Sequence, residues 1–305
     1  MAVAKRRFGD TDVQVSEIGL GCGGYWGLRS FPEKRAAEIV EIALEHGVNL
    51  MDTGLNYSGG NAEPRLGRIL GARRDRVFLA TKVGSWLERG RSVKNWTPAG
   101  IRASVAASLA NLRTDHLDLV QLHSPSPEVL DDDRVLGVLA ALRRDGLARF
   151  VGLSTDSGLA ERAIGLGVFD CVMVSYNVLH QRGAGRIAGL AAAAGRAVLA
   201  RSPMAHAVYE RSLLRPTSRA GLWYLLRALK SFRADLARAR SLRFLREIEG
   251  WRAPQVALRF VLDDPRVTAA IVGTTDPRHL VENLAVSGGP ALPADVVERL
   301  RTLET

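Results

Sequence analysis

Cysteine is nearly missing from this sequence: 305 residues hold two, Cys22 and Cys171. Two thiols without metal-ligand spacing to the six histidines exclude a disulfide framework and a zinc site, and lead us to expect a reducing, cytoplasmic compartment with no bound metal. Also lacking is any stretch near the ~18 uncharged apolar residues of a membrane span. Lys5, Arg6 and Arg7 have no apolar run behind them, so neither secretion nor membrane insertion is expected. Acids are scarce in one place: between Arg211 and Arg246 stand ten basic residues against Asp235 alone, nearly all of the +10 net charge. Few aromatics and no nucleic-acid motif accompany them, so the expectation is a solvated helix face and no nucleic-acid partner. No linker or composition break divides the chain, which predicts one domain over 1–305.

Short β-branched runs alternate with longer helical patterns over nearly the whole length. Strands are expected at Glu17–Gly21, Leu50–Thr53, Val77–Val83, Leu117–His123, Phe150–Ser154, Cys171–Tyr176, Ala197–Ser202 and Ala269–Val272. Several are apolar on both faces, as strands covered by helices must be. Eight such units favour a closed α/β barrel, the (β/α)8 TIM barrel, over an open sheet. Thr97-Pro98 reads as a helix start, and Phe31-Pro32-Glu33 opens a helix that Gly47 ends. Lys5–Phe8 and Val13–Val15 around Gly9-Asp10-Thr11-Asp12 read as an N-terminal β-hairpin that plugs one barrel end. An extra helix is expected after strand seven, with Leu222, Leu225, Leu229, Phe232 and Leu236 facing the barrel and Arg227, Lys230 and Arg238 pointing away.

Catalytic groups of such a barrel lie where its strands end. Strand two ends in Asp52-Thr53-Gly54 and runs into Tyr57, strand three ends in Thr81-Lys82, and strand four ends in Gln121-Leu122-His123. Taken singly, each is more often a loop cap or a surface group. Together they put a carboxylate, a phenol, an ammonium and an imidazole on three neighbouring strands, where burying Asp and Lys unpaired would be costly. A cation beside a phenol favours the phenolate and makes tyrosine a usable acid.

With Met51-Asp52-Thr53-Gly54-Leu55-Asn56-Tyr57, then Glu63 and Leu66-Gly67, then Ala80-Thr81-Lys82-Val83, Asp115-His116-Leu117-Asp118-Leu119 and Gln121-Leu122-His123, the whole chain resembles the aldo-keto reductase family. The resemblance implies a nicotinamide-dependent oxidoreductase that interconverts a small-molecule aldehyde or ketone and its alcohol by hydride transfer. It places the four catalytic roles on Asp52, Tyr57, Lys82 and His123, with Tyr57 as general acid. It assigns cofactor contacts to Gly21, Cys22, Gly23, Asp52, Ser154, Thr155, Met173, Arg201, Ser202, Gly273, Thr274, Thr275, His279, Glu282 and Asn283, and a substrate wall to Tyr25, Trp26, Trp86 and Trp96. The sequence departs from the family pattern at Thr155, where Asn is usual, at Met173 for Gln, and at Arg201 for an aromatic whose stacking a guanidinium can replace. Gly273 and His279 stand where many members carry Lys and Arg for the 2′-phosphate, although Arg278 is adjacent, and the reading leans slightly to NADP(H) over NAD(H). The loop entering the helix after strand eight suits a phosphate.

Two other functions compete: a cofactor-binding subunit or sensor with little turnover, and a barrel aldolase or isomerase with Lys82 as Schiff-base nucleophile. Gly19-Leu20-Gly21-Cys22-Gly23-Gly24 lacks the βαβ context of a Rossmann fingerprint. No oligomeric state is implied.

Overall fold

The computed structural model describes residues 2–155 and 158–304. A hairpin of β1 (Lys5–Arg7) and β2 (Gln14–Ser16) opens the chain. Eight parallel strands then close on themselves: β3 (Ile18–Gly21), β4 (Leu50–Asp52), β5 (Phe78–Val83), β8 (Leu117–His123), β9 (Ala148–Ser154), β10 (Cys171–Ser175), β11 (Ala197–Arg201) and β12 (Ala269–Val272), which pairs back to β3. The expected strands thus agree with the observed ones to within two residues. Between β5 and β8 the long loop is itself a hairpin, β6 (Ser85–Glu88) with β7 (Arg91–Lys94).

Helices cover the barrel in chain order: α1 (Glu33–Glu45), α2 (Ala62–Leu70), α3 (Pro98–Leu112), α4 (Asp133–Arg144), α5 (Gly158–Gly165) and α6 (Arg182–Ala193), then α7 (Arg211–Leu214), α8 (Arg219–Ser231) and α9 (Arg233–Arg238), and finally α10 (Ala253–Leu262), α11 (Pro277–Leu284) and α12 (Ala294–Arg301). Local chemistry sets their ends. Thr97 caps α3 through its hydroxyl, 3.1 Å from the Gly100 amide, with Pro98 at the first helical position. The chain leaves α1 through Gly47 at φ +79°. Among the described residues no helix is long and apolar enough to cross a membrane.

Alternation along the strands separates two cores. Residues such as Leu50, Phe78, Ala80, Leu119, Phe150, Met173, Leu199 and Ile271 fill the barrel interior, while the opposite parity packs under the helices. Phe8, fully buried beside β1, brings its ring within 4.9 and 5.0 Å of the Phe78 and Phe150 rings. The hairpin therefore stoppers the N-terminal end and leaves the other rim for chemistry.

The segment after β11 differs from the single extra helix expected. It is α7, α8 and α9 followed by 3-10 turns over Ala239–Arg246. The apolar stripe also divides. Phe232 and Leu236 pack on a second core formed with α10 and α12, but Leu222 and Leu229 are 49% and 48% exposed. The helix instead turns Trp223 and Tyr224 inward, and the Trp223 ring stands 6.0 Å from that of Tyr25. Arg238 does not point away: it donates to the carbonyls of Leu179 and Leu303 at 2.8 and 2.9 Å. Helical spacing alone could not separate these faces, because leucine and the aromatics alternate all round α8.

Candidate active site

The same alternation that fills the barrel decides what its open end displays. One step beyond each interior residue lie Asp52 after Leu50, Lys82 after Ala80, Gln121 and His123 after Leu119, Ser154 two places after Gly152, and Arg201 after Leu199. Register aligns them: Gly21 with Asp52, Lys82 with Gln121, His123 with Ser154, and Ser175 with Arg201. Parallel strands thus carry polar side chains from five chain segments to one rim.

Lys82, 1% exposed, donates to both carboxylate oxygens of Asp52 at 2.7 and 2.5 Å and to the Thr53 carbonyl at 2.9 Å. Three acceptors satisfy its three N–H groups. Burial opposes its charge, yet Asp52 and Tyr57 together outweigh burial and hold the ammonium above the ordinary lysine range. Burial raises the Asp52 carboxyl against the pull of Lys82 and Gln121. With such short charge-assisted contacts the proton resides on lysine and the pair is ionic.

Tyr57 completes the cluster from the loop after β4. Its ring lies 4.9 Å from Lys82 Nζ and 5.6 Å from the His123 ring, edge to face. Two glycines form the slot that holds it: a Cβ on Gly23 would meet Tyr57 Cδ2 at 2.7 Å, and one on Gly54 would meet the ring at 3.2 Å. His123 is half-buried, with its Nδ1 buried and lacking any hydrogen-bond partner. Burial first, then Lys82, Lys94 and Arg201, push its pKa down to about 3, so the imidazole is neutral at physiological pH.

Two supports escaped sequence reading as site residues. Gln121 Nε2 donates to Asp52 Oδ1 at 3.2 Å, and its Oε1 is buried without a partner. Its signal was the alternation it shares with His123. Glu63 accepts from Thr81, Ser108 and Asn111 at 2.6, 2.8 and 3.1 Å, tying α2 and α3 to the strand that carries Lys82.

The residues expected around a cofactor lie on the same rim. Cys22 is buried, with its amide on the Asp52 carbonyl at 2.7 Å and its own carbonyl accepting from Thr53 at 3.0 Å. Ser154 and Thr155 are buried at the end of β9, and Met173 lies inside the barrel next to Ser154. Ser202, at φ +53°, follows Arg201 and accepts from Asn177 at 3.1 Å through its carbonyl. Beyond β12, Gly273 and His279 are exposed, Thr275 is half-buried, and Thr274 and Asn283 are buried.

Several of these expected contacts already have partners within the protein. The first amide of α11 is not open to a phosphate, because Asp276 caps Arg278 N at 2.9 Å and pairs with the Arg278 guanidinium at 2.8 Å. Glu282 is engaged by Arg252 at 2.7 Å. Of the expected substrate wall, Trp26 is core: it is 2% exposed and donates to the Ala36 carbonyl at 3.3 Å. Tyr25 packs against Phe31 and Trp223, while Trp86 and Trp96 are half-buried beside the mouth on the β6–β7 hairpin and just after it.

Comparison with known proteins agrees with this architecture. Residues 17–305 match the model of the Aldo/keto reductase family. An uncharacterized oxidoreductase of Bacillus subtilis, YqkF, is 26% identical across 98% of this chain and 95% of its own. The NADH-specific methylglyoxal reductase of Escherichia coli is 26% identical across 91% of each. Among solved structures, the holo form of aldo-keto reductase AKR11C1 from Bacillus halodurans superposes with a TM-score of 0.81 at 26% identity, covering 99% of this chain and 97% of that one. The chain belongs to the aldo/keto reductase family and is an NAD(P)H-dependent oxidoreductase that acts on small carbonyl compounds.

Proposed function

We propose that the whole chain, 1–305, works as one barrel domain in the cytoplasm, its two buried, unpaired thiols suiting a reducing compartment, and that Tyr57 is the proton donor to the substrate oxygen. The observation that carries this reading is the buried Asp52–Lys82 ion pair set against the Tyr57 ring, 4.9 Å from the ammonium. A fixed cation beside a phenol stabilises the phenolate left after proton donation. His123 is neutral and bears a single N–H, which suits it to orient a carbonyl without competing for the proton. Asp52 holds Lys82 charged, which disfavours the Schiff-base alternative, since that chemistry needs a neutral amine.

The mouth also suits a nicotinamide cofactor. Gln121 Oε1 and His123 Nδ1 are buried without protein partners beside Ser154, and a carboxamide offers both a donor and an acceptor. When bound, the cofactor supplies the hydride. In this reading Ser154, Thr155 and Gln121 hold the carboxamide end, Arg201 offers a plane to the ring, and residues 273–283 receive the adenosine end. The lean toward NADP(H) weakens here. Arg278, adjacent to His279, is paired with Asp276, whose carboxyl Arg278 holds down at about 2. We therefore propose that NADH and NADPH are both used, as the NADH-specific relative makes reasonable.

The test is reduction of methylglyoxal and simple aldehydes with each dinucleotide. The expected ratio of kcat/KM between them is below about a hundredfold, since one charge-assisted contact is worth roughly 1.5–3 kcal/mol. A preference above about a thousandfold for NADPH would overturn the cofactor assignment, and no reduction with either would overturn the functional one.

A further inference from the structure

Hairpin β6–β7 returns the chain to the mouth of the barrel. Its register pairs Ser85 with Lys94, so Lys94 sits at the hairpin base, next to the end of β5. The Lys94 ammonium donates to the carbonyl of His123, stands 3.5 Å from that of Ser124, and lies 5.2 Å from the centre of the Trp96 ring. Two carbonyls and an aromatic face position a cation without cancelling its charge. Among the described residues Lys94 enters no ion pair, and it keeps an exposed face.

The turn it grips is itself fixed. Ser124 has φ +49°, unusual for serine, and its amide donates to the Ser154 carbonyl at 2.8 Å. The charged groups that act on His123 are Lys82, Lys94 and Arg201, all cations. Lys82 is answered by Asp52. Lys94 is thus an unneutralised charge held beside the imidazole that orients the carbonyl.

We propose that Lys94 forms a subsite for a carboxylate or phosphate on the substrate, making anionic aldehydes and ketones the preferred class. This rests on the carbonyl-reducing reading of the site. The third N–H of an ammonium with two carbonyl acceptors remains for an anion, and Trp96 walls the same corner.

The test compares kcat/KM for 4-carboxybenzaldehyde and for its neutral methyl ester in wild type and in Lys94→Met, Lys94→Arg and Lys94→Glu. Wild type should favour the acid. Lys94→Met should lower kcat/KM for the acid by about 10- to 100-fold, the range of one charge-assisted contact, and leave the ester within about threefold. Lys94→Arg should retain the preference, and Lys94→Glu should reverse it. A parallel fall for acid and ester would overturn the proposal and make Lys94 a mere clamp on the turn. Equal use of both substrates by wild type, unchanged in Lys94→Met, would overturn it as well. Reduction of neither by wild type would instead remove the carbonyl-reducing reading, and the subsite with it.

Discussion

Two halves of one rim are built in opposite ways. On one side, Asp52, Lys82, Gln121 and His123 project from the ends of adjacent parallel strands, and their positions follow from register and alternation. On the other, the chain after β11 runs through Ser202, Ala205, His206 and Ala207, all non-glycine residues at positive φ between 45° and 55°. It then forms α7 to α9, which pack on the second core through Leu213, Ala228 and Leu236 and are tied further by polar and ring contacts. His206 stacks on Phe232 at 3.6 Å, His180 meets Asp235 at 3.1 Å, and Arg238 binds two carbonyls. Apart from Tyr57, which the loop after β4 delivers into a slot between two glycines, chemistry that tolerates little positional error sits on regular elements, while the cover, which shapes access, sits on irregular chain.

The largest expected effect breaks the strand-borne half. Lys82→Met leaves Asp52 buried without its cation, which should cost about 3–5 kcal/mol of stability. Adding Asp52→Leu should restore most of that stability, because replacing a buried pair with apolar groups is often neutral. Reductase activity should stay at least ~10²-fold down in both variants. Chemical denaturation and steady-state rates check this, and activity that returns with stability would mean the pair is structural only.

A smaller effect spans both halves. Burial holds His123 at about 3 and His206 at about 4, the latter with help from Arg227. Unfolded imidazoles titrate near ~6.5, so below that pH the unfolded chain binds protons that the folded one refuses. Stability should therefore fall with pH, by about 1.4 kcal/mol per unit for each histidine, levelling off near the folded values. His206→Asn, which suits the left-handed backbone there, should remove the cover's share and roughly halve the slope in urea midpoints between pH 4.5 and 6.5. An unchanged slope would place the pH sensitivity elsewhere.

How much could be read from the sequence follows the same division. The strands and the inward position of Asp52, Lys82 and His123 were legible because a two-residue period and strand-end rules constrain them jointly. Gln121 has the same parity but no charge to attract attention, and its role emerges only from the register that sets β8 beside β5. The burial of Trp26 was not legible, because an aromatic in a rim loop can face either way and its ring is directed by the Ala36 carbonyl. The cover was least legible. In α8 leucines recur on several faces, and the side chains that anchor it reach carbonyls more than fifty residues away in sequence.

The central claim is that the hydroxyl of Tyr57 delivers the proton, and Tyr57→Phe isolates it. The slot between Gly23 and Gly54 and the ring's approach to Lys82 are compatible with phenylalanine, so the hydroxyl and its support of the Lys82 charge are removed while the ring stays. The measurement is kcat for aldehyde reduction together with the dissociation constant for the better dinucleotide. The account predicts a loss in kcat of roughly 10²-fold or more with cofactor affinity within a few-fold of wild type, whereas retention of more than about a tenth of kcat would contradict it.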